Sequence, residues 1–288
     1  MDQEEMGKGI IRLTCPDQPG VIASVSQFLY GKNADIAKVD QFSTDYHNGT
    51  IFARFEFNLD GLSDKLNLLK ADFTDIAQKF TMNWDIRDAS RRKKLAIFVS
   101  KEDHCLQDLL IRWRTGELKA DISMIVSNHN DMRGIAESFG ILYHHVPVTK
   151  ATLHEAEEKH LQLLEGKADA VVLARYMQII PSKMIERYQN RIINIHHSFL
   201  PAFIGGKPYQ QAFDRGVKLI GATAHFVTQD LDEGPIIEQD VSRVDHRHQV
   251  SDLKRIGRDL ERIVLAKGIR YYLNDKVFVN GNKTVVFH

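Results

Sequence analysis

The stretch NIHHSFLP, residues Asn194–Pro201, decides the fold prediction because it closes a run of alternating strands and helices. Short apolar segments before it, such as Leu95–Val99, are separated by helical patterns. A continuous apolar run is typical of a strand covered on both faces, and the alternation is typical of a parallel α/β sheet. After this stretch the pattern changes to longer strands over 220–227 and 236–241 and then to a long helix. The sequence therefore predicts an α/β domain with a mostly parallel sheet.

The segment before residue 87 has a different order of elements. Val21, Val25 and Phe28 recur at helical spacing, and a second helix is predicted over 62–80. Strands are predicted over 10–14, 36–42, 50–59 and 82–86. The order β-α-β-β-α-β is that of a small ferredoxin-like domain. The sequence therefore predicts a first domain over 1–86, a polar linker over 87–93 and a second domain over 94–288.

Composition limits the classes of function. The 288 residues are 43% hydrophobic and 26% charged, as in ordinary folded proteins. Lys plus Arg equals Asp plus Glu, which argues against a nucleic-acid partner because such binders carry a basic surplus. No apolar run approaches the ~18 residues of a membrane span, and Met1–Glu5 lacks the apolar core of a secretory signal. We therefore expect a cytoplasmic protein with no membrane partner and with free thiols at Cys15 and Cys105.

Two polar residues, Asn194 and His196, lie at the end of the strand predicted over 192–195. Residues two apart on a strand point to the same side, so both side chains can reach one substrate atom. Open α/β sheets place their ligands at this end of the strands. An amide and an imidazole suit a carbonyl reaction, which needs a hydrogen-bond donor and a polarising acid. An isolated Asn-x-His pair can also cap a turn, and the neighbouring glycines and acids favour the catalytic interpretation.

A base for such chemistry is available in the loop VTQDLDEGP, residues 227–235. A carboxylate at this point could take a proton during attack on a carbonyl group. The loop holds three acids, and spacing alone does not distinguish Asp232 from its two acidic neighbours.

The thirteen histidines raise the alternative of a metal site. The nearest candidate pair is His154 and His160, which are six residues apart on a predicted helix. That separation turns by about 600° and puts the rings on different faces, whereas the zincin motif needs a four-residue separation. The sequence therefore predicts no metal site.

With these residues, the second segment resembles the formyltransferase family that uses 10-formyltetrahydrofolate. The resemblance is carried by Asn194-x-His196, by SFLP at 198–201 and by GATAHFV at 221–227, which leads to Asp232. It covers Lys94 to about Phe278 and implies a Rossmann-like domain. In that family the Asn, the His and the downstream Asp form the catalytic triad. The resemblance therefore implies that Asn194, His196 and Asp232 are catalytic.

The same resemblance implies a folate pocket. The family binds the pterin against a segment and a loop that correspond to 174–180 and 227–232. The implied substrate-binding residues are Arg175, Tyr176, Met177, Gln178, Ile179, Ile180, His225 and Val227. His225 fits a buried core histidine equally well. No cofactor is implied, because 10-formyltetrahydrofolate is itself the substrate.

The first segment resembles an ACT domain. DQPGV at 17–21 matches its β1–α1 turn, and GKNADI at 31–36 matches its α1–β2 loop. Such domains pair with one another and often bind amino-acid effectors where they pair. The resemblance therefore implies a homo-oligomer, either a dimer or a tetramer through ACT domains. The implied effector-binding residues are Asp17, Pro19, Gly20, Asn33 and Asp35.

An ACT domain followed by a formyltransferase domain is similar to the formyltetrahydrofolate deformylase subfamily. That subfamily hydrolyses 10-formyltetrahydrofolate to formate and tetrahydrofolate, and the formate supports purine biosynthesis. The alternative is a transferase with an amine acceptor such as glycinamide ribonucleotide, whose phosphate is held by a glycine-rich loop. Backbone N–H groups cradle anions best where glycines allow a close approach. Here the loop at 100–104 has no glycine and two acids, so we expect water to be the acceptor.

Two further alternatives are less consistent with the residues. A non-catalytic amino-acid or folate sensor would not need the complete set of Asn194, His196 and Asp232. A formyltransferase acting on charged initiator tRNA would need a basic surface, and the net charge of the chain is +0.

Overall fold

The computed structural model describes residues 6–45, 48–149, 151–202 and 208–288. Two compact units divide the chain. The first comprises 1–92 together with Asn274–Phe278 and Val285–His288, and the second comprises Lys93–Leu273 with Val279–Thr284. The first unit therefore draws part of its structure from the end of the chain.

The first unit has the predicted βαββαβ order. Its elements are β1 (Met6–Pro16), α1 (Val21–Gly31), β2 (Asp35–Ser43), β3 (Thr50–Asp60), α2 (Leu62–Lys79) and β4 (Asn83–Asp88). The strands lie in the order β2-β3-β1-β4, and every neighbouring pair is antiparallel. The apolar face of α1 packs with α2 and one face of the sheet around Phe55, Phe57 and Phe73. This apolar burial is the main source of the stability of the unit.

The other face of this sheet is polar and carries a buried arginine. Arg54 on β3 is 1% exposed and pairs with Glu56 at 2.6 Å. Its Nε also donates to the carbonyl oxygen of Asn274 at 3.1 Å. In the same segment Asp275 pairs with Arg87 at 2.7 Å. The segment Asn274–Phe278 therefore adds a hydrogen bond to Arg54, which already pairs with Glu56, and supplies an ion-pair partner to Arg87.

The second unit alternates strands and helices and then changes character. Its first elements are β5 (Lys93–Val99), α3 (His104–Arg114), β6 (Ala120–Ser127), α4 (Arg133–Ser138), β7 (Tyr143–His145), α5 (Leu153–Leu164), β8 (Ala170–Leu173), α6 (Ser182–Arg187) and β9 (Ile192–His196). They are followed by α7 (Pro208–Asp214), β10 (Leu219–Phe226), β11 (Ile236–Arg243) and α8 (Val250–Leu273). The chain then forms a small ladder of β12 (Val277–Asn280) and β13 (Lys283–Val286).

The strands of the second unit form one sheet in the order β11-β10-β9-β8-β5-β6-β7. The pairs from β9 to β7 are parallel, and β10 is antiparallel to both β9 and β11. After β5 the chain moves towards β7, and after β8 it moves the other way. The carboxyl ends of β5 and β8 therefore flank a topological switch point, where open α/β sheets bind ligands.

The predicted fold class is confirmed: a ferredoxin-like unit precedes an α/β unit with a mostly parallel sheet. Helix α7 was not predicted, because its short sequence PYQQAFD has too few turns to display an apolar periodicity. The boundaries 1–86, 87–93 and 94–288 stay predictions. Across the described ranges, no helix combines the length and the apolar character that crossing a bilayer requires.

Candidate active site

The sheet places three polar side chains side by side. Asn194 and His196 are alternate residues of β9, so they share one face of the strand. The antiparallel register places His225 of β10 directly opposite Asn194. Asn194 Nδ2 and His225 Nε2 are 3.2 Å apart, as expected for a cross-strand pair. Pairing of β9 with β10 therefore assembles this part of the site.

Asp232 completes the cluster from the loop between β10 and β11. Its carboxylate lies 3.2 Å from His196 Nδ1 and 3.7 Å from His225 Nε2, and its side chain is 10% exposed. Its φ of 59° is left-handed, a conformation that Asp adopts more readily than most residues. The structure thus brings Asn194, His196 and Asp232 into one connected group.

The hydrogen bonds of His225 define its tautomer. Its Nδ1 lies 2.9 Å from the carbonyl oxygen of Phe226, which can only accept, so Nδ1 carries the proton. Nε2 then accepts a hydrogen bond from Asn194 Nδ2. Burial lowers the pKa of His225 and keeps the ring neutral. His225 therefore orients the Asn194 amide and leaves the second N–H of that amide free to donate elsewhere.

Asp232 is ionised in this environment. Burial acts to raise the pKa of Asp232, but the hydrogen bond from His196 and the charge of that ring outweigh it and lower the pKa. A carboxylate with a lowered pKa is a weak base but stabilises a neighbouring imidazolium well. His196 Nε2 is buried and has no hydrogen-bond partner among the described residues. Asp232 therefore holds one nitrogen of His196 while the other nitrogen is available for chemistry.

Gly234 fixes the loop that carries Asp232. The backbone N–H of Phe226 donates to the carbonyl oxygen of Pro235 at 2.9 Å, which closes the loop at its base. A Cβ atom on Gly234 would lie 1.8 Å from the carbonyl oxygen of Phe226. Any side chain at residue 234 would clash with this carbonyl oxygen. The position of Asp232, two residues earlier in the loop, therefore depends on glycine at residue 234.

The catalytic cluster opens into a cavity of about 350 Å³, which we call the main cavity. All eight residues predicted to bind substrate line it, together with Asn194, His196 and Asp232. Met177 and Ile179 line the cavity with exposed apolar side chains, which can cover a flat ring. An apolar pocket with a few convergent polar groups is the usual form of a small-molecule site.

Arg175 begins the predicted substrate-binding segment in a constrained conformation. It follows β8 with a φ of 63°, and its carbonyl oxygen accepts a hydrogen bond from the Ser100 N–H at 3.2 Å. Ser100 Oγ in turn accepts from the Met177 N–H at 2.9 Å. Arg175 Nε lies 3.4 Å from Glu261 Oε2. The loop after β5 and helix α8 therefore hold this segment in place.

Sequence reasoning missed several residues of the site. His197 and Ile185 line the main cavity, and Ser100 and Glu261 support it. Burial and the charge of Arg175 lower the pKa of His197 to about 4. The sequence offered one signal for His197, its place beside His196. Glu261 gave none, because its partners are distant along the chain.

Within the described ranges, one group of potential metal ligands occurs: His104, Cys105 and Glu261, with ligand atoms within 4.8 Å of one another. Glu261 already accepts a hydrogen bond from Tyr209 and faces the Arg175 guanidinium. Burial and the nearby Glu261 charge raise the pKa of the Cys105 thiol well above its usual range. A protonated thiol and a nearby arginine disfavour a cation, so this group does not fit a metal. The absence of a metal or cofactor stays a prediction.

Comparisons with known proteins match both units. The family described as Formyl transferase matches residues 93–269, and the family described as ACT domain matches residues 9–73. Formyltetrahydrofolate deformylase of Bacillus subtilis (strain 168) is 50% identical over 98% of this chain and 94% of that protein. The chain belongs to the formyltetrahydrofolate deformylase family.

Solved structures of this family share the whole fold. A formyltetrahydrofolate deformylase from Pseudomonas syringae pv. tomato superposes with a TM-score of 0.95 at 46% identity, covering 100% of this chain and 96% of that one. A formyltetrahydrofolate deformylase from Burkholderia mallei has a TM-score of 0.92 at 45% identity, covering 98% of this chain and 100% of that one. The sequence-based recognition of the family and of its ACT and formyltransferase parts is confirmed.

The five residues predicted to bind an effector lie in two places in the ACT domain. Asp17, Pro19 and Gly20 form the turn before α1, and Asp17 accepts a hydrogen bond from Ser43 Oγ at 2.5 Å. Asn33 and Asp35 follow the other end of α1, about 16 Å away at 1.5 Å per helical residue. One protomer therefore does not gather all five residues around one small molecule, and the effector site stays a prediction.

Proposed function

We propose that this protein hydrolyses 10-formyltetrahydrofolate to formate and tetrahydrofolate. The observation that carries the proposal is the group of Asn194, His196 and Asp232 in the lining of the main cavity, with His196 Nδ1 held 3.2 Å from Asp232. Amide, imidazole and carboxylate side chains supply what hydrolysis of a formamide needs: a donor to the carbonyl oxygen, a proton carrier and an orienting charge. The formate would supply purine biosynthesis, and the reaction would balance the one-carbon folate pools.

The geometry divides the chemistry among these residues. The His196 nitrogen opposite Asp232 takes a proton from water as its oxygen attacks the formyl carbon. The carbonyl oxygen gains negative charge and accepts a hydrogen bond from the free N–H of Asn194, whose other N–H is held by His225. The imidazolium, stabilised by Asp232, gives its proton to the leaving nitrogen as the C–N bond breaks. Tetrahydrofolate and formate result. In this proposal Asp232 acts through His196, because the lowered pKa of Asp232 makes it a weaker direct base than the sequence-based hypothesis assumed.

The loop after β5 supports water as the acceptor. It lacks the glycines that let backbone N–H groups approach a phosphate, and it holds Glu102 and Asp103. Glu102 pairs with Arg258 at 2.7 Å, so the repulsion of a phosphate is weaker than two free acids would produce. The missing glycines are therefore the stronger part of the argument against a phosphorylated acceptor.

A formate-release assay tests the function directly. Purified protein is given 10-formyltetrahydrofolate alone, and formate and tetrahydrofolate are measured together. We expect both products in equal amounts without any added amine. Turnover that begins only when an amine such as glycinamide ribonucleotide is added would assign the protein as a transferase.

We further propose that the protein is cytoplasmic and forms a dimer or tetramer through its ACT domains. Pairing would bring the turn at Asp17–Gly20 of one protomer near a partner, which would bridge the two separated groups of predicted effector residues. An amino acid bound there would control a reaction that otherwise drains the formyl-folate pool. Glycine and methionine are suitable candidates because both report on one-carbon status.

Isothermal titration of the full chain with glycine and with methionine tests this regulation. We expect one of them to bind, and Asp17→Asn to weaken that binding by about 10-fold, because a charge-assisted contact to an ammonium group is lost. Asp64→Asn, a change in the first turn of α2, is the control. If neither amino acid gives a heat of binding, glycine and methionine are excluded as effectors. If the Asp17 and Asp64 variants bind equally well, Asp17 does not contact the effector.

A further inference from the structure

A second cavity of about 460 Å³ adjoins the main cavity, and we call it the side cavity. Its lining includes Arg175, His197, Tyr209, Lys254, Arg258 and Glu261. Arg175 and His197 line both cavities, so these side chains form a wall that the two spaces share. The proposed reaction leaves the side cavity without a role, because water needs only about 30 Å³.

The carboxylates of the side cavity are already satisfied. Glu261 is 1% exposed and accepts a hydrogen bond from the Tyr209 hydroxyl at 2.6 Å. Its other oxygen lies 2.8 Å from His104 Nε2 and 3.4 Å from Arg175 Nε. Gly257, one helical turn before Glu261, allows this arrangement, since a Cβ there would lie 2.0 Å from the Tyr209 hydroxyl. These contacts leave Glu261 little capacity to attract a cation.

The side chains of the side cavity that can still bind a ligand are basic. Lys254, an exposed residue on α8, has no ion pair or hydrogen bond within the part of the chain that the structure describes. The buried Nε of Arg175 faces Glu261 but makes no hydrogen bond to a described residue. Arg258 pairs with Glu102 and Arg175 faces Glu261, so the three cations that line the cavity exceed its two acids by one positive charge, that of Lys254. Such a lining favours a small anion.

We propose that the side cavity binds a small monocarboxylate, namely the formate formed in the main cavity, while tetrahydrofolate remains in place. The inference rests on the proposed function. A guanidinium matches the planar carboxylate of formate, and Arg175 lines both cavities. Lys254 then draws the anion towards the rim. The space around formate holds the water that hydrates the anion and supplies the next nucleophile.

Titration of ¹³C-formate followed by NMR line width tests the site without turnover. The full-length protein is used first free of folate and then saturated with tetrahydrofolate. We expect formate to bind in both states. Lys254→Gln should raise the apparent Kd for formate by about 5-fold, the effect of losing one partly exposed charge. Lys267→Gln is the matched control, because Lys267 lies on the same helix but does not line the side cavity.

The outcomes separate this inference from the proposed function. Absence of formate binding, displacement of formate by tetrahydrofolate, or equal Kd values for the Lys254 and Lys267 variants would each overturn the side-cavity site. Binding that persists with tetrahydrofolate and weakens only in the Lys254 variant supports it. The titration involves no reaction, so a protein that binds formate in this way yet releases none from 10-formyltetrahydrofolate would contradict the function and leave the anion site standing.

Discussion

Replacing Asp232 with Asn is expected to lower kcat for formate release by about 10³–10⁴-fold, with little change in folate affinity. The Asn side chain retains the shape and can still accept a hydrogen bond from His196 Nδ1, but it carries no charge to stabilise the imidazolium. The main cavity is otherwise unchanged, so the folate Kd should stay within about 3-fold, as for loss of one polar contact of ~0.6 kcal/mol. Single-turnover formate release and equilibrium folate titration measure the two quantities.

Glu233→Gln is the control for this variant, because Glu233 is an exposed acid in the same loop and does not line the main cavity. It should retain normal turnover. Normal turnover in Asp232→Asn would remove Asp232 from the mechanism, and equal losses in the two variants would indicate general damage to the loop.

The pH dependence of folding stability gives a second test of the interaction between Asp232 and His196. Its pKa is lowered in the folded protein, so the ionised form persists to more acidic pH than in the unfolded chain. The pairing therefore contributes stability above the unfolded pKa of about 3.9, and this contribution is lost as the pH falls through the lower folded value. The difference in urea midpoint between wild type and Asp232→Asn should therefore be largest near pH 6 and should shrink as the pH falls towards 3. Urea midpoints measured between pH 3 and pH 6 make the comparison.

Replacing Gly234 with Ala is expected to reduce kcat/KM by about 10²-fold or more. The added Cβ would lie 1.8 Å from the Phe226 carbonyl oxygen and 3.3 Å from Thr228 Cγ2, so the base of the loop must open. Asp232, two residues away, then loses its place beside His196, and a misplacement of about 1 Å has a cost of this order. Thermal unfolding should also show a loss of about 1–3 kcal/mol, the usual effect of overpacking.

Gly134→Ala is the matched control for the glycine variant. Gly134 lies in α4, and no described residue beyond its chain neighbours and its own helix backbone has an atom within 4 Å of an added Cβ, so alanine should be neutral or slightly stabilising there. If Gly234→Ala keeps full activity, the loop is adaptable and the tie between Gly234 and Asp232 is wrong. Stability loss without loss of activity would lead to the same conclusion.

The parts of the site that follow local rules could be predicted from the sequence. A strand alternates its side chains, so Asn194 and His196 had to share a face, and the apolar runs around them indicated buried parallel strands. The conformation of the loop determines which of its three acids faces His196. Asp232 could therefore be selected only from the resemblance to a family. In the structure, the left-handed backbone of Asp232 and the tight approach at Gly234 make that choice.

The remaining contacts depend on register and on long-range packing. His225 meets Asn194 because β9 and β10 pair with one particular alignment, which no local pattern specifies. Glu261 and His104 are 157 residues apart in sequence and meet across α8 and α3. The side cavity was therefore not foreseen, although each of its residues is an ordinary surface or core type in the sequence.

The make-up of the ACT unit restricts how this protein can be divided. A fragment ending at Arg92 would leave Arg54 without the Asn274 carbonyl oxygen and Arg87 without the Asp275 carboxylate, and it would uncover Phe52, which stacks edge-on with Phe278. Exchange of this module between homologues therefore requires transplanting two stretches of polypeptide from one parent. A chimera joined at a single crossover would combine a sheet and a covering segment that did not evolve together.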